Sequence, residues 1–195
     1  KTPLYYLKNE KVMCFNRFYI MKERLNWSPS FYLTIDDLVL KDLVPEMDEI
    51  VKDMEMLFFP SVHFRGKVFR RVIKDQENIY WLKQIYGKGF SRELPNVNQG
   101  GSVIYEGLQV LSYLGFDPII VIGVDMSFVI HQTAKLLEKG STDIISQDND
   151  DPNHFDVRYF GKNRTYHQPE KHLIDNIRDN LDFLGQNLEK FNLNI

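Results

Sequence analysis

One stretch limits the fold more than any other: Asn98-Gln99-Gly100-Gly101-Ser102, a periodic apolar segment from Val103 to Leu114, then Gly115, and the apolar run Ile119 to Val124 closed by Asp125. It reads as a loop, a helix and a buried strand. Asn98 is placed to cap the helix with its side-chain oxygen, and Gly100 and Gly101 let the backbone pass close to a ligand. The free amides of the first turn, beside Ser102, then point outward and attract phosphate. Val103, Ile104, Gly107, Leu108, Leu111 and Leu114 share one face at helical spacing, with Gly107 allowing close approach to a sheet and Gly115 ending the helix. Ile119 to Val124 is rich in β-branched residues and has no polar one, which predicts a central strand covered on both faces. Asp125 would stand at its carboxyl end, where open α/β sheets bind ligands.

With 195 residues, 43% hydrophobic and 13% aromatic, the chain can bury a core of its own. The expectation is a single nucleotide-binding α/β domain over 1–195, with an excursion at 61–95 and a lid and acceptor-binding loop at 139–168. A net charge of −3 supplies no basic field and excludes nucleic acid as the expected partner. The one cysteine, Cys14, lies in the apolar run Val12 to Phe15. That rules out a disulfide framework and favours a buried structural thiol in a reduced, cytoplasmic setting, since no base lies nearby in sequence to make it a nucleophile. No apolar run reaches the ~18–20 residues of a membrane span, so no transmembrane segment is expected. Peripheral attachment at the inner face of the membrane and homo-oligomerisation both stay open. Both ends read as cut: the first residues stand just before a strand-like segment, and Phe191 to Ile195 looks like another strand beginning.

In chain order, Lys11 to Phe15 is a short buried strand ending at Asn16, and Arg17 to Asn26 is expected to be helical. Ser28 to Asp37 repeats the arrangement, with a strand closed by Thr34, Asp36 and Asp37. Asp37 to Asp53 reads as one amphipathic helix interrupted at Pro45, or as two short ones. Met56 to Phe59 is the next strand. Lys67 to Ile73 and Asn78 to Ile85 look like pieces of an antiparallel ribbon or an irregular excursion. Arg65, Lys67, Arg70, Arg71 and Lys74 there form either a solvated face or a clamp for an anion. Gly87-Lys88-Gly89 lacks the spacing of a phosphate loop.

The segment Gly140 to Asn153 reads as a mobile loop. Asp148, Asp150 and Asp151 lack the glycine and glutamate that a calcium loop needs. Asn153 to Pro169 concentrates aromatics, cations and two histidines, a composition that suits a binding surface. Pro169 opens a helix with an apolar face of Leu173, Ile174, Ile177, Leu181, Leu184, Leu188 and Phe191, which holds His167 at a helix entrance and turns His172 outward.

The combination of Asn98-Gln99-Gly100-Gly101-Ser102, Ile122-Gly123-Val124-Asp125, Tyr159-Phe160-Gly161 and Tyr166-His167 resembles the domain family of 6-hydroxymethylpterin diphosphokinases and bacterial polysaccharide-cluster proteins. That family is distantly similar to CMP-sugar-dependent bacterial sialyltransferases. The resemblance runs from about Lys11 to Ile195 and is least in 61–95. It implies a Rossmann-like open, mainly parallel sheet with helices on both faces. The family's usual opening strand and Gly-Asn-Gly-Pro-Ser-Leu-like loop are absent.

Carried over residue by residue, the resemblance implies nucleotide contacts at Asn16, Thr34, Asp36, Asn98, Gly100, Gly101, Ser102 and Asp125. It implies a catalytic base at His167. From the residues alone, His167 reads first as a structural or surface histidine and only second as a base. The sialyltransferases carry tyrosines shortly after the aspartate-ended strand, where this chain has Met126-Ser127-Phe128. Tyr159, Arg164 and Tyr166 are the candidates for acceptor or leaving-group contacts instead.

Three functions follow from this. The favoured one is a glycosyltransferase moving a sugar from a nucleotide-linked donor to a surface-glycan acceptor, with no essential cofactor. The second is a diphosphokinase using ATP and magnesium held by Asp36, Asp37 and Asp125. The third is a non-catalytic nucleotide-binding or scaffold domain.

Overall fold

The computed structural model describes residues 3–62, 69–124, 126–139, 141–168 and 170–195. The chain divides into two compact units, Lys1–Val121 with Asn176–Ile195, and Ile122–Asp175.

The first unit is an α/β structure built on a five-stranded parallel sheet. Its strands are β1 (Met13–Phe15), β2 (Phe31–Leu33), β3 (Met56–Pro60), β4 (Ile79–Ile85) and β5 (Asn96–Asn98), lying side by side in chain order. β2 and β3 are apolar and buried along nearly their whole length, as the middle of a parallel sheet requires, whereas β4 alternates buried with exposed residues and β5 buries Val97 between two asparagines. Successive residues take opposite faces. Cys14, Tyr32, Leu57 and Phe59 therefore pack with α1 (Asp37–Leu43) and α2 (Met47–Asp53) on one side, through Leu40, Leu43, Ile50 and Val51. Phe31, Leu33, Phe58, Leu82 and Val97 pack with α3 (Val103–Tyr113) on the other, through Val103, Val110 and Leu111.

Pro45 separates α1 from α2 by a 3-10 turn, Val44–Glu46, so the region holds two short helices. Asn16–Glu23 is 3-10 rather than α-helical, and its weak amphipathic pattern gives no reason for a longer helix. Gly115, at φ +83°, stops α3 in the left-handed region. Cys14 is buried, and burial pushes its thiol up, which keeps it inert.

Two expectations about the sheet are corrected. The run Ile119 to Val124 is not a central strand. Ile119 is buried and its amide donates to the Asn194 carbonyl, but Ile120 is 80% exposed and Val121, Ile122 and Val124 are exposed with it. An apolar β-branched run satisfies the pattern of a buried strand, yet it becomes one only where a neighbouring strand accepts its backbone. The region after Ser61 also departs from an antiparallel ribbon. β4 pairs in parallel with β3 and with β5, inside the sheet. Phe69–Arg71 is a 3-10 turn where a strand is predicted from Lys67 to Ile73, with Lys67, Val68 and the cation Arg65 outside the described residues. Arg70, Arg71 and Lys74 are exposed, Arg70 lying over the Trp81 ring.

The helix after Pro169, itself outside the described residues, is α4 (Lys171–Gly185), followed by α5 (Leu188–Phe191). Leu181, Leu184, Leu188 and Phe191 pack with Phe90, Tyr105, Leu108 and Ile119. Leu173, at the start of the predicted apolar face, is exposed, and so is His172.

The second unit carries a small antiparallel sheet, β6 (Lys135–Leu136), β7 (Asp143–Ile145) and β8 (Thr165–His167). The stretch read as a continuous loop from Gly140 to Asn153 thus contains a strand. No helix among the described residues is long and apolar enough to cross a membrane.

Candidate functional site

In the first unit, the carboxyl ends of β1 and β2 bring Asn16 and Thr34 into contact, with Asp36 two residues further on at the start of α1. Asn16 leaves β1 at φ +51°, a left-handed conformation that asparagine tolerates better than most residues. It is held there from both sides. Its carbonyl accepts from the Tyr32 hydroxyl at 2.6 Å, and its Oδ1 accepts from the Thr34 hydroxyl at 2.9 Å. Thr34 is buried. Asp36 caps α1, its Oδ1 accepting from the amides of Leu38 (2.7 Å) and Val39 (3.3 Å). Asp37 follows in the first helical turn and is buried. Beneath this edge the Arg17 guanidinium is fully buried and paired with Asp42.

The entrance to α3 differs from its sequence reading. Ser102, not Asn98, is the cap, with its Oγ accepting from the Ile104 amide. Asn98 ends β5 and is clamped by a buried Gln109, whose Oε1 accepts from the Asn98 amide and whose Nε2 donates to the Asn98 carbonyl, both at 2.8 Å. Gly100 and Gly101 make room for the protein itself. A Cβ on Gly100 would lie 2.2 Å from the Tyr105 ring, and one on Gly101, at φ +76°, would lie 2.7 Å from the Asn176 side chain. Asp125 is outside the described residues.

Facing the sheet from the first turn of α3 is Glu106, with no solvent exposure. Gln84 of β4 donates to its Oε1 at 2.8 Å. Burial raises its carboxyl to about 8, against the stabilising effect of that hydrogen bond, so it is protonated at neutral pH.

In the second unit, register decides the chemistry. Asp143 is directly opposite His167 across β7 and β8, and Ile144 is opposite Tyr166. The imidazole Nδ1 of His167 is 2.7 Å from Asp143 Oδ1, with the two side chains 25% and 17% exposed. A carboxylate on Nδ1 fixes the ring's orientation and tautomer and makes Nε2 the proton acceptor.

Tyr166, the preceding strand residue, points to the other face. There it is buried, with its ring 4.8 Å from His131 and 4.5 Å from Phe160. Burial raises its hydroxyl's pKa. Tyr159 is buried on the same side, stacked on His154 at 3.8 Å. Arg164 is half-buried, its carbonyl accepting from the Ser146 amide. Of the residues predicted to surround His167, neither tyrosine shares its face.

The sequence also conceals a second carboxylate–imidazole group. Asp151 is buried, with Oδ2 accepting from His154 Nδ1 (2.8 Å) and the Phe160 amide (2.9 Å), and Oδ1 from the Asn153 amide (2.8 Å). Burial works against its ionised form, but the bonds from His154 and from the two amides outweigh it and hold the carboxyl below the usual range. His131 is buried with its Nε2 3.5 Å from Asp151 Oδ1, and burial lowers its pKa. Asp143 gave no sign in the sequence, and Asp151 drew notice only as part of a calcium-like acidic run, because a cross-strand or cross-loop partner cannot be read from one chain's spacing.

No protein-family model, curated protein or solved structure matches this chain.

Proposed function

We propose that the chain is a glycosyltransferase-type enzyme, moving a sugar from a nucleotide-linked, in the first instance CMP-linked, donor to a glycan acceptor with His167 as general base. The observation that carries this reading is the 2.7 Å contact between His167 Nδ1 and Asp143. Nε2 takes the proton of the acceptor hydroxyl while that oxygen bonds to the anomeric carbon, and the nucleotide phosphate departs with the electron pair of the broken bond. Asp143 keeps the imidazolium stable without taking its proton. Nucleotide contacts are assigned to Asn16, Thr34, Asp36, Asn98 and the α3 entrance at Gly100 to Ser102. A sheet covered on both faces supports a Rossmann-like reading of the fold, and the transfer itself calls on no metal.

A second reading, transfer of pyrophosphate from ATP, is favoured by the adjacent carboxylates Asp36 and Asp37 at the carboxyl end of β2. These are hard oxygen donors of the kind magnesium takes, and in that reading they would hold the ion.

The test is the thermal midpoint of the protein with CMP, CMP-sugar, UDP-sugar, GDP-sugar or ATP, each with magnesium or a chelator, because a ligand of the native state raises the midpoint. A chelator-insensitive shift with a CMP compound is the expected result. A shift only with ATP and magnesium would transfer the assignment to the kinase, and no shift with any nucleotide would leave a scaffold.

A further inference from the structure

The two tyrosines expected to meet an acceptor are buried at 6% exposure, so they have no face to offer a ligand. The aromatic ring that the same segment does present is Phe155, 40% exposed. It stands edge-on to Tyr159, centroids 5.5 Å apart and planes at 87°. Tyr159 also carries the His154 ring, stacked at 3.8 Å and 2°. One buried phenol ring thus fixes both Phe155 and His154.

We propose that the loop from Asn153 to Phe160 is a carbohydrate subsite, with Phe155 as the platform for a sugar ring and Nε2 of His154 as the group that bonds a sugar hydroxyl.

Three features make this loop a prepared surface. First, the His154 ring is oriented: Nδ1 is committed to Asp151, Phe160 packs edge-on at 5.1 Å, and the side chain is still 26% exposed. With Nδ1 committed to Asp151, Nε2 is the ring nitrogen left to bond a ligand. Second, the carboxylate behind it is immobilised by the amides of Asn153 and Phe160, at the two ends of the loop. Third, the turn between them is pinned by the buried Asp156, which accepts from the Arg158 amide (2.9 Å), Nε (3.0 Å) and Nη2 (3.0 Å). A surface already ordered before binding loses little conformational entropy when it engages a ligand. An exposed aromatic beside one oriented polar group matches a sugar, whose C–H face lies on the ring while its hydroxyls bond the imidazole.

His154 joins the Tyr166 side of the small sheet through Phe160, whereas His167 points to the other side. The subsite is therefore separate from the proposed base. It would hold a more distant unit of a chain-like acceptor, so affinity should rise with acceptor length. That the ligand is a sugar rests on the transfer reading above.

The experiment is NMR of protein labelled at histidine and phenylalanine, titrated with malto-oligosaccharides and with oligosialic acid, from single units to hexamers. The His154 and Phe155 resonances should move with the longer oligomers, and Phe155→Ala should weaken their binding roughly tenfold, about 1.4 kcal/mol, with the unfolding midpoint unchanged. The proposal is overturned if neither series moves those two residues, or if folded Phe155→Ala binds as the wild type does. Nucleotide titration of the same samples separates the two readings. Nucleotide binding without oligosaccharide shifts removes the subsite and leaves the transferase. Oligosaccharide shifts without nucleotide binding keep the subsite and remove the transferase.

Discussion

Glu106 should make the first unit lose stability as the pH rises, in the range where most proteins are insensitive. In the unfolded chain its carboxyl ionises near 4.5, whereas burial against β4 holds it at about 8 in the fold. Between these values the folded protein keeps a proton that the unfolded chain has released. The stabilisation present below 4.5 is therefore lost progressively up to about pH 8 and is level above it. At ~1.4 kcal/mol per unit over this interval, the loss approaches about 5 kcal/mol, a large share of the stability of a domain this size. Glu106→Gln removes the ionisation and keeps the shape, and its new amide can donate to Gln84 Oε1, a buried atom with no hydrogen-bond partner among the described residues. Urea unfolding at a series of pH values from 5 to 9 would be followed by the fluorescence of Trp27 and Trp81, both in the first unit. The difference between variant and wild type cancels every other titrating group. It should grow in the variant's favour by about 1 kcal/mol between pH 5 and 6, and by about 4 kcal/mol between pH 5 and 9. Parallel profiles across the range would refute the reasoning, as would a larger m-value change than a simple shift of midpoint allows.

Three further outcomes follow from the packing. Gly100→Ala should cost about 2–3 kcal/mol in chemical denaturation, because a methyl group there strikes the root of the Tyr105 side chain rather than a movable tip. If the loss appears with no nucleotide present, Gly100 serves packing whatever else it does. Asp42→Ala takes the carboxylate from a guanidinium that has no solvent exposure and should destabilise by about 3–5 kcal/mol in the same assay. Asp143→Asn should leave the melting temperature nearly unchanged while lowering sugar transfer by roughly a hundredfold or more and shifting the acid limb of its pH profile. An unchanged rate would mean that the His167 contact is structural.

Much of the first unit was legible because apolar runs and their breakers report directly on local structure. The strands ending at Asn16 and Thr34, the split at Pro45 and the α3 helix with its stop at Gly115 all follow from patterns a few residues long. Ile119 to Val124 shows the limit, since periodicity describes what a segment could bury and not whether a neighbour exists to bury it. Glu106 and Gln109 show another. Both are polar residues three apart on a helix face, and sequence alone places them toward solvent as readily as toward Gln84 and the end of β5. At the candidate sites the residue types were visible and their partners were not. His167 could be singled out, but Asp143 acquires meaning only through the pairing of two strands separated by the loop that holds Asp151 and His154.

The alternation at Tyr166 and His167 makes the second unit unusually sensitive to the length of the chain before it. Sliding β8 by a single residue against β7 would carry the imidazole into the aromatic packing and turn the phenol out toward Asp143. The turn formed by Gly161 to Arg164, with Asn163 at φ +64° and its amide anchored on the Ser146 carbonyl, is what sets that register. Deleting or inserting one residue there would break the Asp143–His167 contact and bury the imidazole without altering either side chain. Loop length in this unit is thus under the same constraint as the identity of the histidine itself.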